Sequence, residues 1–205
     1  MAEEIEQGRD LDRVGAFSDG VFAIAITVLV LTISMPTVPA SKLDDALRHL
    51  IRPVLAYFLS FYVVGVYWFS HHKMWHFIRR VDSRFLALNM VLLAFIALLP
   101  FPTDLMGTYG QTREATIIYA VAVSLTGIAS TALWWYVSEN NRLLRDDTPQ
   151  DYVRISRLRG ASAPVIFLCS IPIAFVDPDL AKLTWLALVP LHIWLSRQHG
   201  NVYEM

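Results

Sequence analysis

At 205 residues, 55% hydrophobic and only 17% charged, with a mean hydropathy of +0.45, the chain carries more apolar surface than one soluble core can bury, and it reads as a polytopic membrane protein. A net charge of -1 supplies no basic stripe, so no nucleic-acid partner is expected. Cys169 is the single cysteine and lies in an apolar run, which excludes an internal disulfide framework and a multi-cysteine metal site.

A hydrocarbon core about 30 Å thick needs about 20 residues of helix. Six windows meet or approach that length: residues 14–33, 53–75, 85–105, 116–137, 161–176 and 180–195. The expected fold is therefore an all-α membrane protein with six transmembrane helices, a single domain over residues 1–205. The first nineteen residues hold Glu3, Glu4, Glu6, Asp10 and Asp12 and lack the basic start and cleavage site of a signal peptide, so the first span is expected to stay. Residues 34–49 combine turn signals with a short amphipathic stretch, an outer loop with a partial surface helix. Residues 138–160 are the longest polar connection, an inner linker in which Thr148-Pro149-Gln150-Asp151 offers a helix start. The last two windows are short, each holds proline, and Asp177-Pro178-Asp179 turns between them to make one helical hairpin.

Counting Lys and Arg by loop orients the chain. With the N-terminus inside, twelve of the 17 fall on the inner side; Lys42, Arg48, Arg52, Arg113 and Lys182 fall outside. Both termini are expected in the cytoplasm. No internal repeat is visible, so symmetry must come from oligomerising. Most of the six tryptophans lie near span ends, where amphipathic rings favour the interface; Trp68 lies deeper.

The run RVGAFSDGVFAIAITVLVLTI places Arg13, Ser18 and Asp19 at the mouth of an apolar helix. An ionisable group in a span costs roughly 2.5 to 3.5 kcal/mol on insertion scales, which points to a buried partner or an ion path. With about 100° per residue and Ile24 taken as zero, Val28 lies roughly 40° away, Leu31 and Phe17 each roughly 20° away, and Asp19 roughly 140° away. Asp19 therefore points away from the Ile24 stripe. Arg13 and Asp19 are about 240° apart, so each needs a partner from another span. At matching depth stand Trp68 and His72 of the second span and Asn89 of the third, which predicts a polar network of Arg13, Ser18, Asp19, Trp68, His72 and Asn89. The plainer alternative has Arg13 snorkelling to headgroups and Asp19 capping the helix or sitting in water.

His71, His72 and His76 invite a metal reading, with His72 and His76 one turn apart. No HExxH glutamate accompanies them, so no metal site is expected. GxSxG, Walker A and GxGxxG patterns are absent, as is a TVGYG-like loop between spans. Any cation selectivity must come from helical side chains or constriction size.

Arg13 followed by Phe17-Ser18-Asp19 and GVFAIAIT resembles the signature of the transmembrane protein 175 family, the lysosomal and prokaryotic potassium channels, which carry R-x(3)-FSD at the start of the first helix. The six-span layout and the positions of His72 and Asn89 extend the likeness over most of the chain. The resemblance implies a cation channel of the cell membrane, preferring potassium and passing other monovalent cations, with no cofactor. One repeat per chain resembles the prokaryotic homotetramers, in which the first helix lines a central pore. The family's hydrophobic constriction falls on Ile24, Val28 and Leu31, and its pore-flanking threonine on Thr27; Val28 is smaller than the leucine expected there. Phe17 belongs with the packing network, which braces the pore helix against its neighbours.

Two other readings are weighed. A small proton- or ion-coupled transporter would use Asp19 and His72 as a relay, but a discontinuous span or inverted repeat is not visible. A membrane enzyme would use His71, His72 or His76, and an enzyme is not expected.

Overall fold

No proline falls between Leu11 and Val28, so the first apolar run stays helical without interruption. α1 is Ala2–Val28, and it tightens into a 3₁₀ turn at Leu29–Thr32 before Pro36 and Pro39. The computed structural model describes residues 2–34, 36–191 and 193–194, with side chains from residue 11.

α2, Leu43–Trp75, begins ten residues before the apolar window that opens at Pro53. Asp44 and Asp45 favour its N-terminal turn, and Arg48 pairs with Asp44 at 3.0 Å. The surface helix expected in the outer loop is thus the first three turns of the second span. Pro53 is accommodated inside it, and α4 packs closely there because Gly107 has no side chain; a Cβ on Gly107 would lie 3.0 Å from the Pro53 Cα.

The third span is built from α3, Ser83–Leu98, and α4, Pro100–Tyr109. The break follows from Pro100 and Pro102, which cannot donate to carbonyls four residues back. α5 is Arg113–Ser138, capped by Thr112, whose hydroxyl accepts from the Ala115 amide. It is the most buried of the spans, with Tyr119, Val123 and Val137 fully enclosed, and α2, α3, α4, α6 and α7 all pack on it.

α6, Gln150–Ala174, starts at the predicted Thr148–Asp151 signal, which shortens the expected inner linker and places Arg154, Arg157 and Arg159 on a helix rather than in a loop. The connection before it is pinned to the α2–α3 connection by an isolated antiparallel bridge, Ile78 with Leu144. Asp177 then caps α7, Pro178–Trp185, with Pro178 in the first turn.

Among the described residues, five helical stretches are long and apolar enough to cross a membrane: Leu11–Thr32, Ala40–Trp75, Ser83–Tyr109, Arg113–Asn141 and Gln150–Ala174. The window 180–195 takes a different form. α7 has 8 residues, or about 12 Å of helix. A turn at Leu186 and Ala187 follows, and helix resumes at Leu188. Pro190 explains the break, since it leaves the Leu186 carbonyl without its helical donor. The end of that window, from Leu195, lies outside the described residues.

Candidate functional site

α1 sits at the edge of the bundle, packed on α2 and α3 only through one face. Phe22, Ala25 and Leu29 are inside; Ile24 is 65% exposed, Leu31 75%, and Val28 37%. The helix is apolar all round in sequence, so its two faces are distinguished only by packing. Thr27 is exposed, and its hydroxyl donates to the Ile24 carbonyl at 2.9 Å. The 3₁₀ turn changes the stripe's geometry. In such a turn side chains three apart eclipse, so Leu31 stacks over Val28 instead of swinging back past Ile24.

Polar bonds tie the opposite side of α1 to the bundle. The Trp68 indole Nε1 donates to Asp19 Oδ1 at 2.9 Å. Asn89 Nδ2 donates to Ser18 Oγ at 3.0 Å, and that hydroxyl donates to the Val14 carbonyl at 2.8 Å. Asn89 Oδ1 is 2.9 Å from Nε2 of His71, and the Trp75 indole donates to His71 Nδ1 at 3.1 Å. An indole N–H can only donate, so Nδ1 is the acceptor and the imidazole proton sits on Nε2. One consistent direction of donation then runs from Trp75 through His71, Asn89 and Ser18 to the backbone of α1. Ser18, His71 and Asn89 are all buried.

The histidine in this chain of bonds is His71, and His72 is placed differently. Its ring stacks on Trp68 at 5.3 Å and meets His76 edge-on. The buried stripe of α2 explains the difference. Ser60, Val64, Tyr67, His71 and Met74 recur at helical spacing and all face inward, so His71 continues a core register and His72 falls beside it. That stripe, read outward from Tyr67, is the sequence signal for His71 and Trp75.

Arg13 and Phe17 stand apart from these bonds. Both are exposed, and with Val81, Asp82, Leu86 and Met90 they line an open groove of about 690 Å³ between α1 and the start of α3. No described side chain bonds to Arg13. His71, His72 and His76 form no metal-holding group with Cys, Asp or Glu among the described residues.

Comparison with known proteins agrees with this architecture. The profile of the endosomal/lysosomal potassium channel TMEM175 matches residues 13–100. A potassium channel of Streptomyces collinus is 34% identical over 173 residues, 82% of this chain and 84% of that protein. One of Chamaesiphon minutus is 34% identical over 183 residues, 86% of this chain and 90% of that protein. The fold superposes with a TM-score of 0.77 on the crystal structure of a lysosomal potassium-selective channel TMEM175 homolog from Chamaesiphon minutus, at 28% identity over 93% of this chain and 98% of that one. With that likeness running through nearly the whole length of both chains, this membrane protein belongs to the TMEM175 family of ion channels and is not an enzyme.

Proposed function

We propose that the chain is a potassium-preferring cation channel of the cell membrane, a homotetramer whose four α1 helices line one central pore. The whole chain, residues 1–205, acts as one channel domain, with both termini in the cytoplasm. The observation that carries this reading is the unpacked apolar stripe of Ile24, Val28 and Leu31 on a helix whose opposite side is held by buried polar bonds. A helix pinned so firmly on one side needs an occupant for the other, and four copies around an axis supply it.

In this arrangement four Ile24 side chains form the narrowest ring, and a closed apolar ring gates by resisting wetting. Thr27 flanks the pore, with its hydroxyl engaged on the Ile24 carbonyl. Asp19 lies off the ion path, its carboxylate turned to Trp68. The bonds through Ser18, Asn89 and His71 set the rotation of α1 and thereby aim the stripe. The exposed Arg13 and Phe17 groove is where a neighbouring subunit packs. The names of the bacterial relatives supply the preference for potassium.

Reconstitution of the purified chain in planar bilayers tests the proposal. The reversal potential under a potassium to sodium gradient should move toward the potassium equilibrium potential. Saturable flux that requires a proton gradient would instead establish the transporter reading.

A further inference from the structure

On the far side of His71 from α1, between α2, α5 and α6, lies a cavity of about 60 Å³. That is several times the roughly 15 Å³ that one water needs. Its wall carries two cations from different helices, Lys73 of α2 and Arg159 of α6, and no carboxylate. Two N–H groups of the same wall have no partner: Nε of Arg159 and Nε1 of Trp134 on α5 are both buried, and neither reaches an acceptor. Trp134 is only 8% exposed, so its donor is not turned to solvent. Lys73 has a weak partner, the Phe69 ring at 4.5 Å.

Elsewhere the fold pairs its half-buried cations. Arg157 donates to Ser138 Oγ at 2.9 Å, and Lys182 donates to the Gly110 carbonyl and to Asp179, each at 2.6 Å. Buried donors are satisfied in the large majority of cases, and a charged donor left alone is the costliest exception. A cavity with two buried, unpartnered N–H donors beside two positive charges is complementary to an oxyanion. A tetrahedral group meets donors arriving from three helices better than a planar carboxylate does.

We propose that this cavity binds a phosphate-bearing anion, held by Arg159, Trp134 and Lys73, with the Ser156 hydroxyl at its wall. The phosphate comes from a phospholipid headgroup or from free phosphate. Phe69 and Ser70, which line the same cavity, are exposed on the chain and give it an opening. His71 belongs both to this wall and to the bonds that hold α1, so the occupant lies one side chain from the pore helix.

The test uses the full chain purified in neutral detergent. In one arm, mixed micelles with phosphatidylcholine or phosphatidylglycerol are analysed by native mass spectrometry for retained lipid. In the other, inorganic phosphate is titrated by calorimetry. Retention of phosphatidylglycerol, reduced about tenfold by Arg159→Gln and by Trp134→Phe but not by Arg154→Gln on the exposed side of α6, supports the site with a lipid source. Saturable binding of inorganic phosphate alone, weakened by the same two variants, supports it with a free source. Binding of neither probe, or binding that both variants leave unchanged, overturns the proposal and leaves water in the cavity. Should Arg159→Gln fail to assemble, Trp134→Phe, which keeps an aromatic ring in place, decides the outcome.

Discussion

Trp68 of α2 donates its indole N–H to the carboxylate of Asp19 on α1 at 2.9 Å, so this acidic side chain of the first span is turned toward its neighbour and away from the exposed stripe. A hydrogen bond to a charged group is worth about 1.5 to 3 kcal/mol. If the proposed tetramer forms, Asp19→Ala should therefore reduce its fraction in size-exclusion chromatography more than it alters ion preference. An intact tetramer with a changed potassium to sodium ratio would show that Asp19 acts on the ion directly.

The two adjacent histidines should behave differently. His71→Ala leaves the buried Asn89 Oδ1 and the half-buried Trp75 indole without their partners, at a cost of up to about 1 to 3 kcal/mol for each unsatisfied group. His72→Ala loses ring contacts with Trp68 and His76, worth about 0.5 to 1.5 kcal/mol each at most. Thermal unfolding in detergent should rank His71→Ala well below His72→Ala. The reverse order would move the key histidine back to His72.

Ile24→Asn places a polar ring where the proposed constriction is apolar, and such a ring wets more easily. Single-channel conductance should rise. Unchanged current in bilayers carrying this variant sinks the assignment of Ile24 to the pore.

Asp82 caps α3, accepting from the Phe85 amide at 2.8 Å and from the Tyr136 hydroxyl at 2.6 Å. Burial opposes its charge, but Tyr136, the amides of Phe85 and Arg84 and the nearby Arg142 outweigh that and hold the carboxyl below its ordinary range. Because the folded value is the lower one, the stabilisation is complete above the unfolded value of about 3.9 and is lost as pH falls through the folded value. Acidification from about pH 6 toward pH 3 should lower the thermal midpoint of the wild type more than that of Asp82→Asn. Equal acid sensitivity would remove Asp82 as a contributor.

Gly127→Ala ordinarily favours a helix by up to about 1 kcal/mol. Here a Cβ would lie 2.7 Å from Pro164 Cδ and 2.8 Å from the Tyr67 hydroxyl, at the crossing of α5 with α6 and α2. Overpacking of this kind costs about 1 to 3 kcal/mol, so the sign should reverse and the midpoint should fall. A stabilised variant would mean that α6 can shift aside.

Hydropathy and length alone determined the all-α membrane class, because a bilayer of fixed thickness admits only long apolar helices with their backbone bonds satisfied internally. Helix phase alone also separated Asp19 from the Ile24 stripe, since about 100° per residue is a property of the backbone rather than of its neighbours. The FSD run carried the family, because its residue types and order are local information. The choice between His71 and His72 was not local. The two are adjacent on one helix, and only the packing of α1 and α3 against α2 brought Ser18 and Asn89 to His71. The fusion of the outer surface helix with α2 through Pro53 likewise depended on α4, whose Gly107 leaves the proline room. The cavity beside Arg159 arose only once α6 began eleven residues ahead of its apolar window and carried a loop-like arginine into the bundle. Period and composition are written residue by residue along the chain, whereas partners are set by which helix faces meet, and that is decided by close packing among segments far apart in sequence.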